Sequence, residues 1–114
     1  MISEQVPEYV KVSSKGDAAT AQSSRMGIYK LQDGYKNNFP VWKKEGQEGY
    51  IYVNENNKFW SIGPNFDSRG IYNNQNNPTP STPFTLTDGW RFADGGWKTD
   101  DTIRIEAFKG EFLK

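Results

Sequence analysis

Any chemistry this chain performs has to come from carboxylates and aromatic rings. It contains no histidine and no cysteine. That removes the commonest general base, the usual zinc ligands and the thiol nucleophile together. Asp100 and Asp101 are neighbours, and Asp67, Asp88 and Asp94 fall close to turn-forming residues. A pair of carboxylates flanking a glycosidic bond is the machinery of glycoside hydrolysis. Adjacent residues of a strand point to opposite faces, however, so Asp100 and Asp101 do not converge on one bond. Turn capping and solubility explain such acids more simply. Asn65-Phe66-Asp67-Ser68 offers two side-chain oxygen donors, whereas calcium takes about six to eight oxygens. The sequence holds no Walker loop, dinucleotide fingerprint or nucleophile elbow. The expectation is a non-enzymatic chain with no cofactor and no metal.

The aromatic rings are the stronger signal. Seven Phe, six Tyr and four Trp make up 15% of the 114 residues. Trp60 shares a strand face with Ile62, and Trp90 with Phe92, so both are expected to pack inward. Trp97 sits in the polar stretch Asp94-Gly95-Gly96-Trp97-Lys98-Thr99-Asp100-Asp101, and Tyr35 in Asp33-Gly34-Tyr35-Lys36-Asn37-Asn38. Neither has an alternating apolar neighbour. Trp42, beside Lys43 and Lys44, is expected to face away from Phe39 and Val41. Exposed Trp and Tyr among Asp, Asn and Lys suit protein hot spots. They also suit stacking on sugar rings, with nearby acids and amides bonding the hydroxyls. The expected ligand or partner-binding residues are therefore Tyr35, Trp42, Trp97, Asp100 and Asp101.

Strands must position these rings, because the dominant period is two. Alternation runs through residues 9–12 and 27–31, the latter stopping at the turn dipeptide Asp33-Gly34. Residues 39–44 form a further strand, with Pro40 at its start or at an edge. Residues 49–53 and 58–62 make a hairpin about an Asn-rich turn. Residues 70–72, 89–93 and 102–107 complete the set. In the last, Ile103, Ile105 and Ala107 share one face while Arg104 and Glu106 share the other. One or two helical turns are expected near residues 17–24, behind Asp17 as N-cap. Residues 73–83, rich in Asn and Pro, read as an extended loop. The fold class expected is all-β, a single small domain. It would be a curved antiparallel sheet, barrel or two-layer sandwich of about seven strands. The domain would span residues 9–108, with an extension at 1–8 and a frayed or partner-docking tail at 109–114.

Lys plus Arg and Asp plus Glu number 14 each, giving zero net charge. With no basic stripe, neither nucleic acid nor an anionic membrane is an expected partner. No apolar run is long enough to span a bilayer. The first dozen residues lack a signal-peptide layout, and Asn77 is followed by Pro78, so no glycosylation sequon is usable. A cytoplasmic location is the expectation. Mean hydropathy is −0.87, but a chain this rich in aromatics is not composed like a disordered one.

The order of motifs resembles a small aromatic-rich β module of multidomain proteins from protists and marine invertebrates. The matching pieces are Met26-Gly27-Ile28-Tyr29-Lys30-Leu31, Asn38-Phe39-Pro40-Val41-Trp42-Lys43, Gly49-Tyr50-Ile51-Tyr52 and Phe59-Trp60-Ser61-Ile62-Gly63-Pro64. They continue with Arg69-Gly70-Ile71-Tyr72, Gly89-Trp90 and Gly96-Trp97-Lys98-Thr99-Asp100-Asp101. The resemblance covers about residues 12–107. It implies an accessory recognition module without catalytic residues. Copies of that module often carry two cysteines, in the Pro-rich loop and after the last strand, and this chain has neither. The functional expectation is a module that binds another protein, with carbohydrate as the alternative ligand.

Overall fold

Among the described residues, alternating apolar positions build nine strands: β1 (Tyr9–Ser13), β2 (Gly27–Lys36), β3 (Phe39–Lys44), β4 (Tyr50–Val53), β5 (Trp60–Gly63), β6 (Ile71–Asn73), β7 (Trp90–Ala93), β8 (Trp97–Thr99) and β9 (Arg104–Ala107). The computed structural model describes residues 6–36, 38–56, 58–75, 78–79 and 82–108. All the pairings are antiparallel, and the strands form one sheet in the order β8-β7-β6-β5-β4-β3-β2-β1-β9. The protein is all-β, and its sheet curls into a half-barrel. Nine strands replace the seven or so expected. Trp97-Lys98-Thr99, read as polar loop, pairs with β7 across a tight turn at Gly95 and Gly96. Those glycines have φ of 70° and 144°, a conformation that side-chain-bearing residues rarely adopt.

The concave side holds the core. Trp42, Trp60 and Trp90 fill it with Tyr29, Phe92, Ile51, Ile62, Ile71, Ile105, Val10 and Val12. The period of two places these residues: Ile51 and Val53 turn inward from β4, Trp60 and Ile62 from β5, Trp90 and Phe92 from β7. The last described part of the β6–β7 connection, residues 82–89, packs on this side through Phe84 and Leu86. It carries a 3-10 turn, Thr82–Phe84, and sets Phe84 edge-on against Trp42 at 5.5 Å. Farther along, the Leu86 carbonyl accepts the Trp90 indole N–H at 3.2 Å. At the start of the described chain, Val6 packs on the core and the Pro7 carbonyl accepts Trp42 Nε1–H at 3.0 Å. The expected tail, residues 109–114, lies outside the described residues.

Two expectations are corrected here. Asp33-Gly34 does not end a strand: β2 runs through it to Lys36, and the register shift between Leu31 and Tyr35 absorbs the irregularity. The dipeptide therefore marks a bulge rather than a turn. Asp17 does not cap α1 (Ala18–Ala21) with its side chain. The cap is supplied by Asp100, whose Oδ2 accepts the Ala18 N–H at 3.1 Å. A further 3-10 turn, Ser23–Arg25, follows α1 and completes the expected helical stretch.

Asp100 also explains how the curl is held. β8 and β9 are the two edges of the sheet, yet residues 100–103 alone connect them, so they separate by no more than about 17 Å there. The Asp100 carboxylate sits at that seam and accepts from Ser14 Oγ at 2.7 Å, Thr102 N at 2.9 Å and Thr102 Oγ1 at 2.6 Å, besides Ala18 N. Gly16 passes so close that a Cβ there would lie 2.7 Å from Asp100 Oδ2. α1 lies across the same gap, packing on β7, and Gln22 Nε2 donates to the Ala93 carbonyl at 2.8 Å. Among the described residues the seam is closed by this helix and carboxylate, with no strand pairing between β8 and β9.

Candidate binding face

The strand residues that point away from the core build a convex outer face. β4 contributes Tyr50 and Tyr52, β6 contributes Tyr72, and β8 contributes Trp97. The β5–β6 loop folds back over this face because Gly63 has no side chain. A Cβ at Gly63 would collide with the Ser68 carbonyl oxygen and stand 2.7 Å from Arg69 Cα. Tyr52 pins the loop by donating its hydroxyl to the Ser68 carbonyl at 3.0 Å. The folded loop lays Phe66 and Arg69 on the sheet.

Two aromatic groups result, each carrying a cation. In one, Phe66 tilts against Tyr50 at 4.7 Å and meets Tyr52 edge-on at 5.3 Å. Lys36 Nζ stands 5.2 Å from the Phe66 ring centre. Tyr35 stands beside this group, bordering with Val41, Tyr50 and Phe66 a shallow open hollow of about 260 Å³ that has no acidic residue in its lining. In the other group, Tyr72 stacks on Phe59 at 5.5 Å and meets Trp97 edge-on at 4.8 Å. The Arg69 guanidinium lies 4.4 Å from the Tyr72 ring centre and 5.8 Å from that of Trp97. Such contacts are worth about 0.5–1 kcal/mol where exposed and more where water is excluded.

Among the described residues, the exposed large hydrophobic ones are Tyr35 and Trp97, at 64% and 47%. Trp97 belongs to the second group, and Tyr35 borders the hollow beside the first, on the same face of the sheet. The other expected site residues lie elsewhere. Trp42 is a correction: it is 0% exposed and part of the core. Its register opposite Ile51 and Leu31 turns it inward, whatever Lys43 and Lys44 do. Asp100 is buried at the seam, and its ligating capacity is spent on its own chain. Burial alone pushes its carboxyl up, but the hydrogen bonds from the Thr102 and Ser14 side chains and from the Thr102 and Ala18 amides outweigh burial and hold it below the usual aspartate range. Asp101 is exposed, with Oδ1 accepting the Gly89 N–H at 3.3 Å. The two acids point to different partners and form no catalytic pair.

Arg69, Tyr72, Phe66 and Phe59 were not among the expected site residues. For Tyr72 the signal was present, since it alternates with buried Ile71 and Asn73. For Phe66 and Arg69 it was not, because their position depends on the fold-back that Gly63 permits. Among the described residues no three acidic side chains gather as a metal site, and no helix is long and apolar enough to cross a membrane. No family model, no curated protein and no solved structure matches the chain.

Proposed function

We propose that this chain is a non-enzymatic binding module, and that its convex face docks a segment of another protein between Tyr35 and Trp97. The observation that carries this reading is the placement of both exposed aromatics on one face, Trp97 packed against Tyr72 and Arg69, and Tyr35 bordering the same hollow as Tyr50 and Phe66. The Tyr72 ring and the Arg69 guanidinium hold Trp97 in place, so this anchor loses little conformational entropy on binding. The surface is open rather than a cleft, which suits a protein better than an oligosaccharide. Its chemistry also suggests the partner. Lys36 and Arg69 have no ion-pair partner among the described residues, where the one ion pair joins Lys98 to Asp94 at 3.3 Å. A segment presenting apolar side chains flanked by carboxylates complements such a face.

The test is capture by photo-crosslinking at residues beside Tyr35 and Trp97, followed by affinity measurement on each purified partner. A partner whose binding weakens by about 2 kcal/mol in Trp97→Ala or Tyr35→Ala, with folding intact, supports the reading. Unchanged binding in both variants overturns it. Saturable binding of an oligosaccharide that depends on Trp97 replaces protein with carbohydrate as the ligand.

A further inference from the structure

Away from the convex face, a second group of polar side chains converges where β2 begins and β3 ends. Lys44 Nζ donates to the Ser24 carbonyl at 2.8 Å, and Arg25 Nη2 reaches Ser24 Oγ at 3.3 Å. The Tyr29 hydroxyl donates to the Arg25 carbonyl at 2.7 Å. Two glycines flank the group. A Cβ at Gly49 would lie 3.5 Å from Tyr29 Oη and 3.6 Å from Arg25 Nη1. One at Gly27 would lie 3.3 Å from Lys44 Cε and 3.8 Å from Nζ.

The group is positive and uncompensated. Among the described residues neither Arg25 nor Lys44 has an acidic partner. Arg25 Nη1 is shielded from solvent and has no acceptor among the described residues. A buried guanidinium hydrogen without an acceptor is costly. Capping the last carbonyls of the Ser23–Arg25 turn accounts for the bond from Lys44, since cations are favoured there. It leaves Arg25 Nη1 unexplained. Burial, and then repulsion from Arg25, lower the Lys44 ammonium below the usual lysine value. A bound anion would reverse the repulsive part.

We infer that Arg25 and Lys44, with the Tyr29 hydroxyl beside them, form a binding site for a small oxyanion, a carboxylate or a phosphate group. Arg25 is half-buried rather than sealed, and its guanidinium and the Lys44 ammonium already meet at Ser24, on its hydroxyl and its carbonyl, so one anion can rest between them. Guanidinium and ammonium then each give a charge-assisted hydrogen bond, the stronger kind.

The probes are inorganic phosphate and acetate, titrated into isotope-labelled protein at constant ionic strength with chloride as the balancing ion. Saturable shifts are expected at the Gly27 and Gly49 amides and at Arg25 Nε, with the Lys44 pKa rising on binding. Saturation by phosphate alone identifies the ligand as a phosphate group; saturation by acetate as well extends it to carboxylates. Arg25→Gln and Lys44→Gln should each weaken binding about tenfold or more, the equivalent of one charge-assisted bond. Linear shifts equal to those of chloride overturn the site, as does unchanged affinity in the variants. If Arg25→Gln does not fold, Lys44→Gln decides, because its ammonium lies at the surface side of the group.

Discussion

Replacing Asp100 should open the molecule along the line where its two sheet edges approach. Asp100→Ala removes an acceptor of four hydrogen bonds, from Ser14 Oγ, Ala18 N, Thr102 N and Thr102 Oγ1. Hydrogen bonds to a charged group contribute about 1.5–3 kcal/mol each. They do not add fully here, because Ser14 and Thr102 can turn to water. The Ala18 N–H cannot, being buried, and stranding it costs about 1–3 kcal/mol. A loss of about 3–5 kcal/mol is expected. That is a large share of the roughly 5–15 kcal/mol by which such a domain is stable, and it corresponds to a melting point lower by about 15 °C. Asp100→Asn keeps the shape but places an amide N–H against donors, and should cost about 2–3 kcal/mol. The charge dependence gives a second check. The folded-state pKa lies below the unfolded one, so the carboxylate stabilises fully above the ordinary aspartate value of about 3.9 and its contribution fades as pH falls through the folded value. Urea unfolding of wild type and Asp100→Asn between pH 7 and pH 3 should therefore show a gap that narrows at the acid end. A gap under about 0.5 kcal/mol at pH 7, or one that stays constant to pH 3, would refute the reasoning.

Other substitutions separate core from face. Trp42→Ala should cost about 3–5 kcal/mol in denaturant unfolding, whereas half-exposed Trp97→Ala should cost about 1 kcal/mol or less; equal costs would return Trp97 to the core. Gly63→Ala should displace the β5–β6 loop at a cost of about 1–3 kcal/mol, and with it weaken any binding that uses Arg69, which calorimetry on the captured partner would register. Burial pushes the Tyr29 phenol well above its ordinary value, against a smaller opposing effect of Arg25. The unfolded chain then loses the proton first, so stability is full below about pH 10 and declines above it; urea midpoints from pH 8 to pH 11 should fall less steeply in Tyr29→Phe.

The strands were legible wherever one face is wet and the other dry. Ile103 and Ile105 against Arg104, or Trp90 and Phe92 against Arg91, declare their orientation through alternation alone. Reading failed where local composition and tertiary position disagree. Trp42 stands beside two lysines, yet its register with Ile51 decides its direction. Asp33-Gly34 carries turn residues, yet the neighbouring β3 keeps β2 extended past them. Tyr35 and Trp97 were found as exposed, although both lie on strands rather than in loops. The role of Asp100 was out of reach, because it bonds Ala18 and Ser14 across 82 and 86 positions of chain. No local pattern encodes a partner so distant.

The pairing of β1 with β9 has a mechanical consequence. Val10 lies opposite Ala107 and Val12 opposite Ile105, antiparallel, and the Phe108 N–H reaches the Tyr9 carbonyl at 2.9 Å. The chain therefore enters and leaves the sheet at one point. Pulling on Tyr9 and Phe108 in opposite directions loads the first rung of that ladder alone, and the strands peel apart rung by rung, like a zip. Two strands pulled lengthwise past each other would share the load across all their rungs. Tension between the points of entry and exit is thus resisted weakly, whereas a host loop into which residues 9–108 were spliced would be spread hardly at all, since its two cut ends would sit side by side.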